Sequence, residues 1–206
     1  MLEPEIRQEI SKKYYQGVYP WKNNAVLFIR RDTMYEKGDW IMYGNTGVCR
    51  VEDIGMPGEF PAMDKNRAYY KLDPAYEAGE IYIPVDTGMF MRPILTKEQA
   101  EQLLAGLPEF CQKSCLGVGF QQLEGQYQEC LKTHVPKEWM KLLVVLRFKE
   151  WEQAQAGKRI GKIYQKYEKR AKELLYGELS IALGSTLETV EAEMEKKFMQ
   201  LFSKTV

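Results

Sequence analysis

Four residues could hold a metal ion by their type and spacing: Cys111, Cys115, Cys130 and His134 form a C-x3-C-x14-C-x3-H array. Each pair spans one helical turn, and two such pairs would offer zinc four tetrahedral ligands. The competing reading is packing, because small thiols are among the most buried side chains. Catalysis is not expected. His134 is the single histidine, and the chain has no glycine loop to cradle phosphates and no Ser or Cys nucleophile motif beside a base. A second pattern carries charge rather than chemistry. Lys158, Lys162, Lys166 and Lys169 recur at offsets of four, four and three, with Arg159 and Arg170 beside them, and Glu168 is the only acid between Lys158 and Lys172. Along one helical face such a stripe would neutralise phosphates in a salt-dependent, sequence-independent way; the alternative is a solvated helix face.

These groups need a folded frame, and the composition supplies one. The chain has 206 residues, 45% apolar and 12% aromatic, enough to bury a core. The aliphatic run at 142–146 ends at Arg147 and falls far short of the roughly 20 residues that cross a bilayer. The first residues, MLEPEIRQEISKKYY, place acids where a secretory signal has bases, so a cytoplasmic location and reduced cysteines are expected. The formal net charge is zero, but it is unevenly spread: residues 34–96 hold 6 Lys+Arg against 10 Asp+Glu, a net of −4, whereas 137–172 hold 11 against 4, a net of +7. The acidic part suits a protein partner and the basic part a phosphate backbone.

Three segments follow. Residues 1–33 mix aromatics with no sustained period and read as an N-terminal extension, with Met34 an alternative start that the mass of the native N-terminus would test. Residues 34–95 alternate with period two, Ala68, Tyr70 and Leu72 against Tyr69, Lys71 and Asp73, then Ile81, Ile83 and Val85 against Glu80, Tyr82 and Pro84. Turns at Gly44-Asn45-Thr46-Gly47, at Met56-Pro57-Gly58 and near Gly79 divide them into about five short strands, the pattern of a small SH3-like or Tudor-like β-barrel. Pro84 cannot donate to a ladder, so its strand lies at an edge or ends there.

From Thr96 the chain reads helical. Thr96-Lys-Glu-Gln99 is a capping box, Pro136 suits a first turn before Trp139, Leu142, Leu143 and Leu146 on one face, and a helix over 161–183 turns Ile163, Tyr167, Ala171, Leu174 and Ile181 inward before stopping at Gly184. Ser185-Thr-Leu-Glu188 forms another box, and a last helix buries Val190, Met194, Phe198 and Leu201. The fold class is therefore α+β, a small barrel followed over residues 96–206 by an all-α bundle of roughly four or five helices.

The segment Tyr35-Glu-Lys-Gly-Asp-Trp-Ile-Met-Tyr-Gly-Asn-Thr-Gly-Val-Cys-Arg-Val-Glu-Asp-Ile54 resembles the opening of CarD/CdnL-type bacterial transcription regulators, and the RNA polymerase-interacting domain of the transcription-repair coupling factor. Tyr69-Tyr-Lys-Leu, Ile81-Tyr-Ile-Pro-Val-Asp86 and Met91-Arg-Pro-Ile94 match the later strands of that family in order, and Lys169-Arg-Ala-Lys-Glu-Leu-Leu-Tyr-Gly-Glu-Leu-Ser-Ile-Ala-Leu-Gly184 resembles its final helical signature. The motor of the coupling factor has no counterpart here.

The resemblance implies a non-enzymatic regulator with no cofactor and no metal. The β module would bind the β subunit of RNA polymerase by pairing an edge strand, here Ile81, Tyr82, Ile83 and Pro84, while the helical domain would contact promoter DNA at the upstream edge of the bubble, mainly through backbone and minor groove. Tyr82 stands where relatives often carry a basic residue; its plainer reading is an exposed strand aromatic. Phe120 aligns with the tryptophan that relatives insert as a wedge, a role an apolar ring can fill at an unstacked step, although Gln121, Gln122, Leu123 and Glu124 replace the basic residues that usually follow. Phe120 as core is the alternative. Lys158, Arg159, Lys162 and Lys166 are the expected phosphate contacts. A nucleoid-associated monomer without membrane contact is expected; the rival is a polymerase-binding adaptor whose helical domain docks another protein.

Overall fold

A computed structural model describes residues 35–55, 64, 67–114 and 120–203, with 111–114 and 120–124 described in their backbone only. The expectations for residues 1–33, for the Met56-Pro57-Gly58 turn and for Cys115 lie outside these residues.

The period-two stretches form five antiparallel strands, β1 (Trp40–Tyr43), β2 (Gly47–Gly55), β3 (Tyr69–Pro74), β4 (Ile81–Pro84) and β5 (Met91–Pro93), in the order β4-β3-β2-β1-β5. The β1–β2 turn needs left-handed backbone at Gly44 (φ 43°) and Gly47 (φ 107°), which only glycine adopts without strain. β1 aligns Ile41 with Cys49 and Met42 with Val48 on β2, and Met42 with Arg92 on β5. A bulge between Val51 and Asp53 shifts the β2–β3 ladder and adds local twist. The expectation of a small barrel is met in strand number and antiparallel pairing and corrected in closure: among the described residues β4 and β5 are outer strands that do not pair, leaving an open sheet. β5 has three residues and ends in Pro93, and β4 has four and ends in Pro84, so neither has a run of donors with which to close a ladder.

Alternation gives the sheet two apolar faces. Ile41, Cys49, Val51, Tyr70, Leu72 and Ile83 form one cluster, whereas Met42 and Val48 join the core of the helices.

Six helices follow among the described residues: α1 (Lys97–Ala105), α2 (Leu107–Ser114), α3 (Phe120–Lys132), α4 (Pro136–Gln155), α5 (Lys162–Leu183) and α6 (Leu187–Phe202). The count exceeds the expected four or five because Gly106 ends α1 after nine residues and the chain restarts at once. The Thr96 box is complete, the Thr96 hydroxyl accepting from the Gln99 amide (3.3 Å) and the Gln99 side chain accepting from the Thr96 amide (2.9 Å). Pro136 opens α4, and Gly184 closes α5 in the left-handed region at φ 62°. The cap of α6 is Thr186 rather than Ser185, its hydroxyl accepting from the Thr189 amide at 3.2 Å. Trp139, Leu142, Leu143 and Leu146 of α4 are buried with Leu174, Leu175, Tyr176 and Leu179 of α5 and Val190, Met194, Phe198 and Phe202 of α6. Each such side chain stabilises the fold by about 1.5–3 kcal/mol. Leu201 is only half-buried, Phe202 taking the inward place. Ile163, expected inward, is 42% exposed: the first turn of α5 runs beyond the core that Tyr164 and Tyr167 cover. Residues Tyr35–Val206 form one compact unit, and no described helix is long and apolar enough to cross a membrane.

Candidate functional site

The outer strand β4 is set by its ladder to β3, in which Tyr70 faces Ile83 and Lys71 faces Tyr82. The Val85 amide donates to the Ala68 carbonyl at 3.0 Å. Because hydrogen-bonded and non-bonded pairs alternate in an antiparallel ladder, the peptide groups of Ile83 and Ile81 also turn to β3, and those of Tyr82 and Pro84 turn away from it. Pro84 therefore forfeits no β3 bond. Ile83 is buried and Ile81, Tyr82 and Pro84 are half-buried. The Tyr82 hydroxyl donates to Glu80 at 3.0 Å, and Glu80 also takes the Lys71 ammonium at 2.6 Å. The hydrogen bond from Lys71, followed by that from Tyr82, holds the Glu80 carboxyl below the ordinary range. Beside this group Arg67 pairs with Asp86 at 2.6 Å.

The basic residues sit where α4 gives way to α5. Gly157 takes φ 67° and the Lys158 amide closes back on the Gln153 carbonyl at 2.8 Å, which ends α4. Lys158 and Arg159 thus lie on the connection, and only Lys162, Lys166 and Lys169 continue along α5, a correction to a stripe on a single helical face. All five are exposed. Six further cations of α4 and α5 are engaged by acids, Lys141 by Glu138, Lys149 by Glu152, Arg147 by Glu150, Glu168 and Glu195, Lys172 by Glu168, Glu191 and Glu195, and Lys169 and Arg170 by Glu173, while Lys137 lies over the Phe110 ring. Among the described residues Lys158, Arg159, Lys162 and Lys166 enter no ion pair, and the first turn of α5 holds no acid to offset them or the positive end of the helix.

The helical backbone of α3 begins at Phe120, whose side chain lies outside the described residues, as does that of Cys111. Cys130 is half-buried, its thiol turned to the Glu138 carbonyl at 3.1 Å and pushed up to about 12 by burial and then by the Glu138 charge. His134 holds a left-handed backbone at φ 54° and stacks its ring on Phe90, centroids 4.2 Å apart. Its Nδ1 is buried without a hydrogen-bond partner among the described residues, and burial, then the Arg92 charge, lowers its proton affinity. Among the described residues no three His, Cys, Asp or Glu side chains gather in a way that could hold a metal.

What the sequence reading missed is the joint between sheet and helices. Arg92 of β5, 4% exposed, forks onto the fully buried Glu178 of α5, Nη2 meeting Oε2 at 2.8 Å and Nη1 meeting Oε1. Its Nε donates to the His134 carbonyl at 2.9 Å, its Nη1 to the Pro93 carbonyl at 3.0 Å, and its guanidinium lies 5.7 Å from the Trp139 ring centre. Glu178 also accepts the Leu95 amide at 2.9 Å. On either side of Glu178 in the chain, the Tyr76 hydroxyl meets Ser180 Oγ and donates to the Gly177 carbonyl at 3.3 Å. A β-carbon on Gly177 would stand 2.9 Å from the Tyr76 ring, so the close approach requires glycine. The signal was present in one residue: Glu178 is an acid on the apolar face that Leu174, Leu175 and Leu179 define, and a charge there needs a buried partner.

In comparison with known families, the CarD-like/TRCF RID domain matches residues 35–95, which cover the whole five-stranded sheet. No curated protein matches the chain.

Proposed function

We propose, from the premise that residues 35–95 are a CarD-like RNA polymerase-interacting domain, that the chain is a non-enzymatic regulator of transcription initiation. Its two parts, residues 34–95 and 96–206, divide the work. The first binds the β subunit of bacterial RNA polymerase through the outer strand, Ile81, Tyr82, Ile83 and Pro84, by adding a strand to the sheet. Backbone pairing of this kind draws affinity from the main chain and specificity from alternate side chains. The second presents Lys158, Arg159, Lys162 and Lys166 to promoter DNA at the upstream edge of the bubble, with Phe120 as the apolar wedge at the start of α3. The protein acts as a monomer in the cytoplasm, on the nucleoid, and holds or adjusts the open complex without covalent chemistry.

The observation that carries the DNA half is the sorting of charge: acids engage Lys141, Arg147, Lys149, Lys169, Arg170 and Lys172, whereas Lys158, Arg159, Lys162 and Lys166 stay outside ion pairs among the described residues and are exposed where α4 gives way to α5. Four phosphates neutralised there would give a slope of log affinity against log salt of about −3.6. The test is a pull-down of the isolated β-subunit lobe followed by footprinting of a promoter complex. Capture together with altered protection at the bubble edge supports the reading, and failure to bind polymerase overturns it.

A second reading keeps the polymerase contact and gives the helices a protein partner instead. It is favoured by Gln121, Gln122 and Glu124, which put no cation beside Phe120. Polymerase binding without a change in the footprint would select it.

A further inference from the structure

Within the basic corner stands a residue that charge does not explain. Ile163 precedes Lys166 by three, which makes the two neighbours on the surface of α5, and Lys162, one turn before Lys166, extends the same charged side. It is 42% exposed, one of four large apolar side chains so exposed among the described residues. The neighbouring Ile160 is half-buried against the helical core, which fixes the connection carrying Lys158 and Arg159. The corner is therefore composite: cations outside ion pairs share its surface with an exposed branched alkyl group in the first turn of a helix of 22 residues.

A ligand made only of charge, such as inorganic polyphosphate, has nothing apolar to place on Ile163. A nucleic acid strand does, because successive phosphates are separated by deoxyribose, whose carbon face is apolar and lies between the charges. Resting on the reading that the helical segment meets DNA, we propose that Ile163 is the apolar half of a sugar–phosphate-binding surface, covering a deoxyribose face while Lys162 and Lys166, with Lys158 and Arg159, hold the flanking phosphates. The lysines then contribute the salt-dependent part of affinity and Ile163 a part that salt does not screen. This assigns the α4–α5 corner a DNA contact distinct from Phe120.

The test compares the full-length protein with Ile163→Ala and Ile163→Leu, and with Lys162→Gln, on three probes across a salt series: a short random-sequence DNA duplex, inorganic polyphosphate, and anionic phosphatidylglycerol vesicles. Loss of about one methylene equivalent of covered surface corresponds to roughly four-fold weaker DNA binding by Ile163→Ala. The expected result is that loss with an unchanged salt slope, unchanged polyphosphate binding and near-complete retention by Ile163→Leu, while Lys162→Gln lowers the slope by about one on DNA. Alanine is a better helix former than isoleucine, so a thermal melt at least as high as wild type excludes unfolding as the cause. The proposal is overturned if Ile163→Ala binds DNA as the wild type does, if polyphosphate binding falls in parallel, or if vesicles bind more tightly than DNA in an Ile163-dependent way. No DNA binding by the wild type overturns the proposed DNA contact itself, a result distinct from a silent Ile163→Ala.

Discussion

Arg92 and Glu178, 86 positions apart in the chain, meet as a two-pronged ion pair sealed from solvent, and every other donor or acceptor bond drawn by either group also crosses between the sheet's end and the helices or caps the strand itself. A fork of this kind is worth little against a well-packed apolar replacement, but removing one side strands a buried charge. Glu178→Gln and Arg92→Lys should therefore each cost stability, the first by about 3–5 kcal/mol, the second by less because the charge survives while the planar fork is lost. Urea melts measure it, and the joint replacement Arg92→Met with Glu178→Leu should recover most of the loss. Additive losses in the double variant would refute the pairing.

Tyr76 and Gly177 supply an independent probe of the same joint. Glycine inside α5 costs helix stability, about 1 kcal/mol against alanine, and the Tyr76 ring explains its presence. In a Tyr76→Ala background Gly177→Ala should stabilise by about that amount; in the wild type the new methyl must push the ring off its bonds to Gly177 and Ser180, cancelling or reversing the gain. A double-mutant cycle by thermal melting checks the sign, and equal effects in both backgrounds would sink the account.

His134 makes stability depend on pH. Its folded-state proton affinity lies below the ordinary value of 6.5, by burial first and the Arg92 charge second, so the unfolded chain binds the proton better. The contribution is whole above about 6.5 and declines as pH falls through that value toward the lower folded one. Urea midpoints taken downward from about pH 8 should fall faster for the wild type than for His134→Asn, a residue that tolerates the left-handed backbone. Parallel curves would remove His134 from the explanation.

Two thiols should be inert in the folded protein. Burial, then the Glu77 charge, pushes Cys49 up to about 12, and burial, then Glu138, does the same to Cys130, so almost no thiolate exists at neutral pH. Timed alkylation read by peptide mass should label both only on unfolding; prompt labelling of Cys49 in native protein would contradict its place inside the sheet.

Charge removal at Lys158, Lys162 and Lys166 together should flatten the salt dependence of DNA affinity by about three slope units while leaving polymerase binding intact. Retention of the full slope in fluorescence titrations would assign these lysines to solvent.

Features governed by near neighbours were legible in the chain. The Thr96 box and the Gly184 stop depend on residues within one turn, and the alternation of Tyr70 and Leu72 reports one sheet face directly. Periodicity over-reached at Ile163, because spacing gives the direction of a side chain and not whether the core extends that far. Offsets of four linked Lys158 to Lys162 across Arg159, Ile160 and Gly161, which lie outside any helix, so helical phase does not carry from one lysine to the other. Arg92 and Glu178 escaped notice for a different reason: a pair brought together only by tertiary folding leaves no short-range pattern, and its one trace was an acid on an apolar helical face. The family resemblance seen in the strands was matched over residues 35–95.

Met42 and Val48 belong to a strand pair and to the helical core at once. Because the strand pair lends its back to the helices in this way, a cavity opened at Met42 or Val48 would loosen the sheet and the helical core together.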